Sequence, residues 1–336
     1  MFKVYNDAGN LPEMWDDLAG DNPFLKRDVL QNLEQLNPCS QTYHLNQENK
    51  IALVSYKFKI DLLTFSKYLS FKIPVNIIGI PMSVSKCGYS ICGQSNKADI
   101  SKYVRSLKGF YLILNSDDEL NFAKGSTLPT CKIAIVWDSF DDYLQSMRSH
   151  YRHRVKKALR RFSNIQVEAL QENKLFDENM YSLYLNVYEK SSEKLEKMPM
   201  RFFKNYPSKI FTFKDNSEVI GFIQLVENGD ELIFLFGGFK HRLNLKYDLY
   251  MNMLLLIVRY GIENGYRRID LGQTAEETKL KLGALQRPKS MYLHHSNPVF
   301  SILFGKLAGR FSYKHYKVTH TVFKGEEDEN PVGKMS

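Results

Sequence analysis

Four side chains in one stretch could bind an anion and move a proton. Lys240, His241, Arg242 and Lys246 lie in a basic connector between an apolar run, Leu232–Phe236, and a long apolar segment that begins at Tyr247. If that segment is a helix, its first turn presents free backbone N–H groups and the positive end of the dipole, so Arg242 and Lys246 sit where a phosphate would be held. His241 is the connector's only titratable group near neutrality. Gly237 and Gly238, at the end of the apolar run, would let a bound group approach the backbone closely. Asp270 ends a second short apolar run and reads as an orienting carboxylate or as the partner of Arg267 or Arg268. There is no Gly-x-Ser-x-Gly elbow and no Cys/His signature, which argues against a hydrolase. Cys39, Cys87, Cys92 and Cys131 show no Cys-x-x-Cys spacing, so neither a zinc site nor a disulfide scaffold is expected.

The elements that must position these residues follow from periodicity. Leu249, Met253, Leu256 and Tyr260 recur at helical spacing, and Met251, Leu254, Leu255, Ile257 and Val258 fill the other sides. This predicts one buried helix over Tyr247–Asn264, with Gly265 at its left-handed C-terminal position. Arg267–Gly272 reads as a short buried strand. Strand, connector, helix, strand make a crossover unit. Upstream, Ser139 and Asp142 form an acidic capping box. A single helix follows, with Leu144, Met147, Tyr151, Val155, Leu159 and Phe162 on its apolar stripe. Arg148, Arg152, Lys156 and Arg160 form a second stripe, and no acid lies between Tyr143 and Val167. That stripe is a solvated face or an anion-facing one, because like charges four apart repel on a helix.

The motifs Tyr247–Gly265, Ile269–Gly272 and Lys279–Gly283 resemble the cofactor-binding half of the GNAT acyltransferase superfamily, and more narrowly its two-domain FemAB-like branch. The resemblance covers about residues 138–295. It implies an α/β fold of two tandem GNAT-like domains, each a mixed, mostly antiparallel sheet flanked by helices. It implies N-acyl transfer by direct attack of an amine on an acyl thioester, with Phe236, Gly237 and Gly238 at the reacting centre. Arg242 and Lys246 would hold the donor, and His241, Tyr247, Asp270 and Lys279 are the candidate catalytic residues. One departure is plain: His241–Lys246 contains no glycine, so the family's glycine-bearing pyrophosphate loop is missing.

The boundaries expected are 1–135, 136–324 and a polar tail, 325–336. The first part reads as alternating helices and strands: Pro12–Leu18, Pro23–Leu36, strands Lys50–Phe58 and Pro74–Met82, a helix opened by Asp99, and strand Phe110–Leu114. With 43% hydrophobic and 25% charged residues, the chain has the make-up of a globular protein with a sizeable core. Its net charge of +9 favours anionic partners. The expected donor is acyl-CoA or an acyl carrier protein, used as co-substrate with no permanently bound cofactor and no metal. The acceptor is a small-molecule or glycan amine. The alternatives are aminoacyl-tRNA as donor, or an idle module that binds nucleic acid or anionic lipid. His294 and His295, adjacent on a strand, point to opposite faces and do not share a metal. Residues 298–315 are aromatic and basic; they pack on their own domain or lie on a membrane surface. No secretory signal and no apolar span of ~20 residues is found, so a cytoplasmic protein, or one peripheral to the inner membrane face, is expected.

Overall fold

The computed structural model describes residues 1–61, 72–82, 84–92, 97–191, 196–313, 316 and 320–325. The chain divides into two units, 1–128 with 288–314 and 129–287 with 315–336. The polar tail expected from 325 lies, past Gly325, outside the described residues.

The first unit opens with β1 (Lys3–Tyr5), α1 (Met14–Ala19) and α2 (Arg27–Leu36). Leu30, Leu33 and Leu36 recur at three-residue spacing and bury one side of α2. Strands β2 (Thr42–Asn46), β3 (Ile51–Asp61), β4 (Lys72–Ile78) and β5 (Tyr89–Ile91) follow, then α3 (Lys97–Ser106) and β6 (Phe110–Ser116). The strands lie in the order β1-β2-β3-β4-β6, with β5 paired to β3. Among the described residues of this unit only β4 and β6 run parallel, joined through α3, as a parallel pair requires a crossover. Strands β2 and β5 were not legible in the sequence, being short and mixed in composition. Asp99 does not open its helix, which already begins at Lys97; its carboxylate accepts from Asn49 Nδ2 at 2.8 Å.

The chain passes to the second unit within β7 (Ala123–Ala134). Helices α4 (Phe140–Ser146) and α5 (Ser149–Arg161), β8 (Gln166–Ala169), α6 (Glu178–Lys190) and α7 (Met200–Asn205) come next. An antiparallel meander follows: β9 (Lys209–Asp215), β10 (Glu218–Asn228) and β11 (Glu231–Phe239). Then come α8 (His241–Tyr247), α9 (Leu249–Glu263), β12 (Arg268–Asp270) and α10 (Glu276–Leu280). The strand order is β7-β12-β11-β10-β9-β8, and β11 with β12 is the parallel pair. Each unit is thus a mostly antiparallel sheet with one parallel crossover, flanked by helices. Strand β13 (Leu285–His295) begins in the second unit and ends in the first, where it pairs with β6 and leads into α11 (Pro298–Phe311).

Two expected helices are each broken in two. The helix after Ser139 stops at Ser146, because Met147 and Arg148 are extended. Met147 forms a bridge with Phe323, and the Arg148 N–H donates to Val322 O at 2.8 Å. Helical periodicity runs through the break because Leu144, Met147 and Tyr151 are all buried. The second break is Asp248, left-handed at φ 48°, ψ 43°. The basic connector is therefore itself a helix, α8, and the buried helix starts at Leu249 rather than Tyr247. Ser139 does cap α4, accepting from the Asp142 N–H at 3.1 Å, and Gly265 takes the expected left-handed conformation at φ +73°.

Candidate active site

The parallel ladder between β11 and β12 is three residues long: Glu231 with Arg268, Leu232 with Ile269, Ile233 with Asp270. Beyond this point the strands part. The Leu271 N–H donates to Cys131 O at 2.8 Å and the Cys131 N–H to Gly272 O at 3.1 Å, so the chain leaving β12 stays on β7. Strand β11 stays paired with β10 as far as Phe239. Residues 234–237 of β11 are half-buried and, among the described residues, have a strand on one side only.

A β-bulge sits at the mouth of this fork. Gln224 pairs with Phe236 and Leu225 with Phe234, which leaves Leu235 unpaired. The extra residue reverses the alternation of side chains. Phe234 packs on the α9 side, whereas the Phe236 ring lies 5.8 Å from Tyr184 of α6 and 5.7 Å from Phe202 of α7. Gly238 shares the face of Phe236. A Cβ there would lie 2.5 Å from the Tyr184 backbone nitrogen, and its φ is not positive. The expectation that Gly238 opens the backbone to a cofactor is corrected: its lack of a side chain is demanded by α6. A Cβ on Gly237 would meet the Phe234 ring at 3.0 Å and Phe222 O at 3.2 Å.

Asp270 is fully buried at the crotch. Its Oδ1 accepts from the Thr130 hydroxyl at 2.6 Å and from the Gly272 N–H at 2.8 Å, and its Oδ2 lies 3.5 Å from Lys132 Nζ. Lys132 also donates to Glu231 at 2.7 Å. Burial works against the Lys132 charge, but Asp270 and Glu231 outweigh it and hold its pKa above the usual lysine value. The cation seen against Asp270 is Lys132, where the sequence suggested Arg267 or Arg268. Arg268, at the exposed start of β12, pairs with Asp230 at 2.6 Å, while Lys132 stands directly across from Asp270 in the ladder.

After Asp270 the backbone enters the left-handed region at Gly272 (φ +71°), Thr274 (+63°) and Ala275 (+47°). Such conformations in non-glycine residues cost energy and persist only where the surroundings enforce them. Lys279, 1% exposed, supplies that constraint by donating to Gly272 O at 3.1 Å and Gln273 O at 2.6 Å. Burial lowers its pKa to about 8, although nearby Cys131, Asp270 and Glu276 pull the other way. Burial likewise raises the Cys131 thiol to about 11, so it is not a thiolate nucleophile.

At the other end of β11, the His241 ring lies 4.5 Å from Phe239. Burial first, and Lys190 second, lower its pKa below the usual imidazole value, against a hydrogen bond with the Asn186 backbone on α6. Its Nε2 is buried without a partner among the described residues. His241 is thus a neutral imidazole with a ring nitrogen to offer. Tyr247 is turned elsewhere: its hydroxyl donates to Asp215 on β9 at 2.5 Å.

At the start of α9, where a phosphate cradle was expected, the chain places groups of its own. The first turn of α9 is filled by the chain's own groups: the Tyr250 N–H donates to Asn244 Oδ1 at 2.9 Å, and Asp248, paired with Arg161 at 3.0 Å, places a carboxylate there. Asn252 Nδ2 ties the end together, donating to Ala158 O at 3.0 Å and Tyr247 O at 2.9 Å. Arg242 and Lys246 lie on α8, and Lys246 stands over the Tyr247 ring, 4.0 Å from Asp215.

The four-residue stripe of cations also divides. Arg148 precedes α5 and donates to Phe323 O at 3.3 Å; Arg152 donates to Gln145 O and Met147 O at 3.2 and 3.0 Å, closing the end of α4. Lys156 and Arg160 are exposed and form no ion pair among the described residues. His294 and His295 belong to the first unit, against Phe122 and Phe300 respectively. Sequence reasoning missed Thr130, Lys132, Asn244 and Asn252. Two had a signal: Lys132 is the one charge in the apolar run Cys131–Trp137, and Asn252 the one amide in an apolar helix face.

Residues 145–280, all within the second unit, match the family model of an acetyltransferase (GNAT) domain. The match to an acetyltransferase (GNAT) domain thus falls on the part of the second unit that holds the fork. Among solved structures, L-PGS from Bacillus licheniformis is similar at 14% identity, over 83% of this chain and 95% of that one, with a TM-score of 0.51. A conserved protein of unknown function from Bacteroides thetaiotaomicron is similar at 9% identity, over 87% and 99%, with a TM-score of 0.51. FemX is similar at 11% identity over 78% and 89%, with a TM-score of 0.48. No curated protein matches the chain.

Proposed function

We propose that the second unit transfers an acyl group from an activated ester or thioester to an amine by direct attack, at the fork between β11 and β12. The observation that supports this is the unpaired side of Phe234–Gly237, which offers backbone groups to a donor carbonyl beside the Lys279-held turn. The amine approaches from the α6 side, past Tyr184 and Phe236. A C–N bond forms, the C–O or C–S bond to the carrier breaks, and the amine proton passes to the leaving group. Lys279 acts as a positioning residue, fixing the turn that bounds the fork. Asp270 holds the crotch together with Thr130 and Lys132.

The donor reading follows from the filled end of α9. A free CoA ester would find no pyrophosphate seat there, whereas exposed Lys156 and Arg160 present a face to a polyanionic carrier. A carrier-borne acyl group, on tRNA or an acyl carrier protein, is therefore favoured over free acyl-CoA. The test is a donor panel of acetyl-CoA, long-chain acyl-CoA, acyl carrier protein and aminoacyl-tRNA, each with a broad set of amines. Amine-dependent deacylation of a carrier-borne donor is expected. Turnover of CoA esters alone would overturn the donor reading, and no amine-dependent deacylation from any donor would overturn the transferase reading.

A further inference from the structure

Helix α11 has one side packed and one side bare. Ala308 is 2% exposed and Phe304 stacks on Phe110 with ring centroids 4.4 Å apart. On the other side, Val299 is 72% exposed, Ile302 64%, Leu303 49% and Phe300 48%. At 3.6 residues per turn, Val299, Ile302, Leu303 and the exposed Lys306 share one face. Three branched aliphatics in water on two adjacent turns form a patch that ordinary surface scatter does not explain.

Charge says what this patch meets. From Pro288 to Tyr313, within the first unit, the sequence has no Asp or Glu, and exposed Lys306 lies on the face of the patch. Exposed Lys108 sits beside the patch, since Gly109 and Ser296 bond to each other through the Gly109 N–H to Ser296 Oγ (2.9 Å) and the Ser296 N–H to Gly109 O (3.0 Å). The nearest acidic run, Asp117, Asp118 and Glu119, follows the far end of β6 and is paired with Lys289, Lys97 and Lys124. A second copy of the chain would set one cationic face against another, which opposes self-association. With 14 residues, α11 is ~21 Å long, short of the ~30 Å apolar core of a bilayer, and no helix among the described residues is long and apolar enough to cross one.

We propose that α11 seats the protein on an anionic phospholipid bilayer, its axis in the membrane plane. Val299, Ile302 and Leu303 enter the acyl boundary and Lys306 stays at the phosphates. This surface is independent of the transferase reading.

The test is flotation of the full chain with vesicles of phosphatidylcholine alone or with ~30% phosphatidylglycerol. Wild type should partition at least tenfold more onto the anionic vesicles, with the difference shrinking at ~0.5 M salt. Ile302→Asp with Leu303→Asp should lose that partitioning at least tenfold while keeping the wild-type melting curve. Leu303→Trp should keep binding, and its emission should shift to the blue on anionic vesicles. Equal wild-type partitioning to both vesicle types overturns the proposal, as does an emission from the Leu303→Trp variant that vesicles leave unshifted. So does a wild-type dimer that the aspartates dissociate while vesicle binding is absent.

Discussion

Thr130 donates its hydroxyl to Asp270 Oδ1 at 2.6 Å, across the place where β12 stops following β11. The bond joins β7 to the last residue of the parallel ladder, and with the Gly272 N–H it fixes where the fork begins. Thr130→Val keeps the shape and leaves a buried carboxylate short of a donor. The expected loss is about 1–3 kcal/mol, read as a lower midpoint in urea unfolding with unchanged slope. A midpoint equal to wild type would show that the bond does not hold the fork.

Lys279 gives the fold a pH dependence whose sign can be worked out. Its folded pKa, about 8, lies below the ordinary lysine value of 10.5, so between these values the unfolded chain binds more protons. Its contribution to stability therefore rises from about pH 8 to 10.5 and is at its least favourable below about pH 8. Lys279→Met removes this contribution, and unfolding curves at about pH 7.5 and 10 should differ less in the variant than in wild type. The same substitution leaves Gly272 O and Gln273 O without their donor, so activity should fall at least tenfold. A variant with wild-type turnover would remove Lys279 from the site.

Gly238→Ala should cost about 1–3 kcal/mol, because the new methyl meets α6 backbone rather than a side chain that can swing away. Gly237→Ala meets the Phe234 ring and Phe222 O at longer distances and should cost less. Thermal melts of the two variants check the order. The reverse order would mean that α6 yields more readily than the strand.

The two halves of the basic stripe should part company. Lys156→Gln with Arg160→Gln should leave the melting temperature within a degree or two. If tRNA docks there, the double change should reduce the salt slope of its binding by ~1.5. Arg152→Gln strips two carbonyls of their donor and should lower stability by about 1 kcal/mol with little change in that slope.

Much of the fold was legible because burial follows period. The α9 residues Leu249, Met253, Leu254, Leu255, Ile257 and Val258 are all 1% exposed or less, as an all-round apolar helix demands. What escaped the sequence shares one cause: each feature depends on a residue distant in the chain. The break at Met147 is set by Phe323, the partner of Asp270 is Lys132, and Gly238 is explained by Tyr184. The bulge at Leu235 leaves no mark in composition, because it consists of one more apolar residue in an apolar strand. The helical connector is a different failure: the absence of glycine in His241–Lys246, noted only as a departure from the family pattern, is what lets α8 form.

The bridge between Met147 and Phe323 bears on how the chain reaches its native state. Val322, with no exposed surface, and Phe323 pack in the core of the second unit, yet they follow the whole 288–314 excursion into the first. During synthesis, residues 129–287 emerge without the segment that ends their sheet-side core and caps the gap between α4 and α5. The loop closed by this bridge spans most of the unit's own sequence, a contact of high sequence separation that forms slowly and late. The nascent second unit must therefore wait, partly open, until the segment carrying Val322 and Phe323 clears the ribosome, which makes this stage the one most exposed to aggregation and to chaperones.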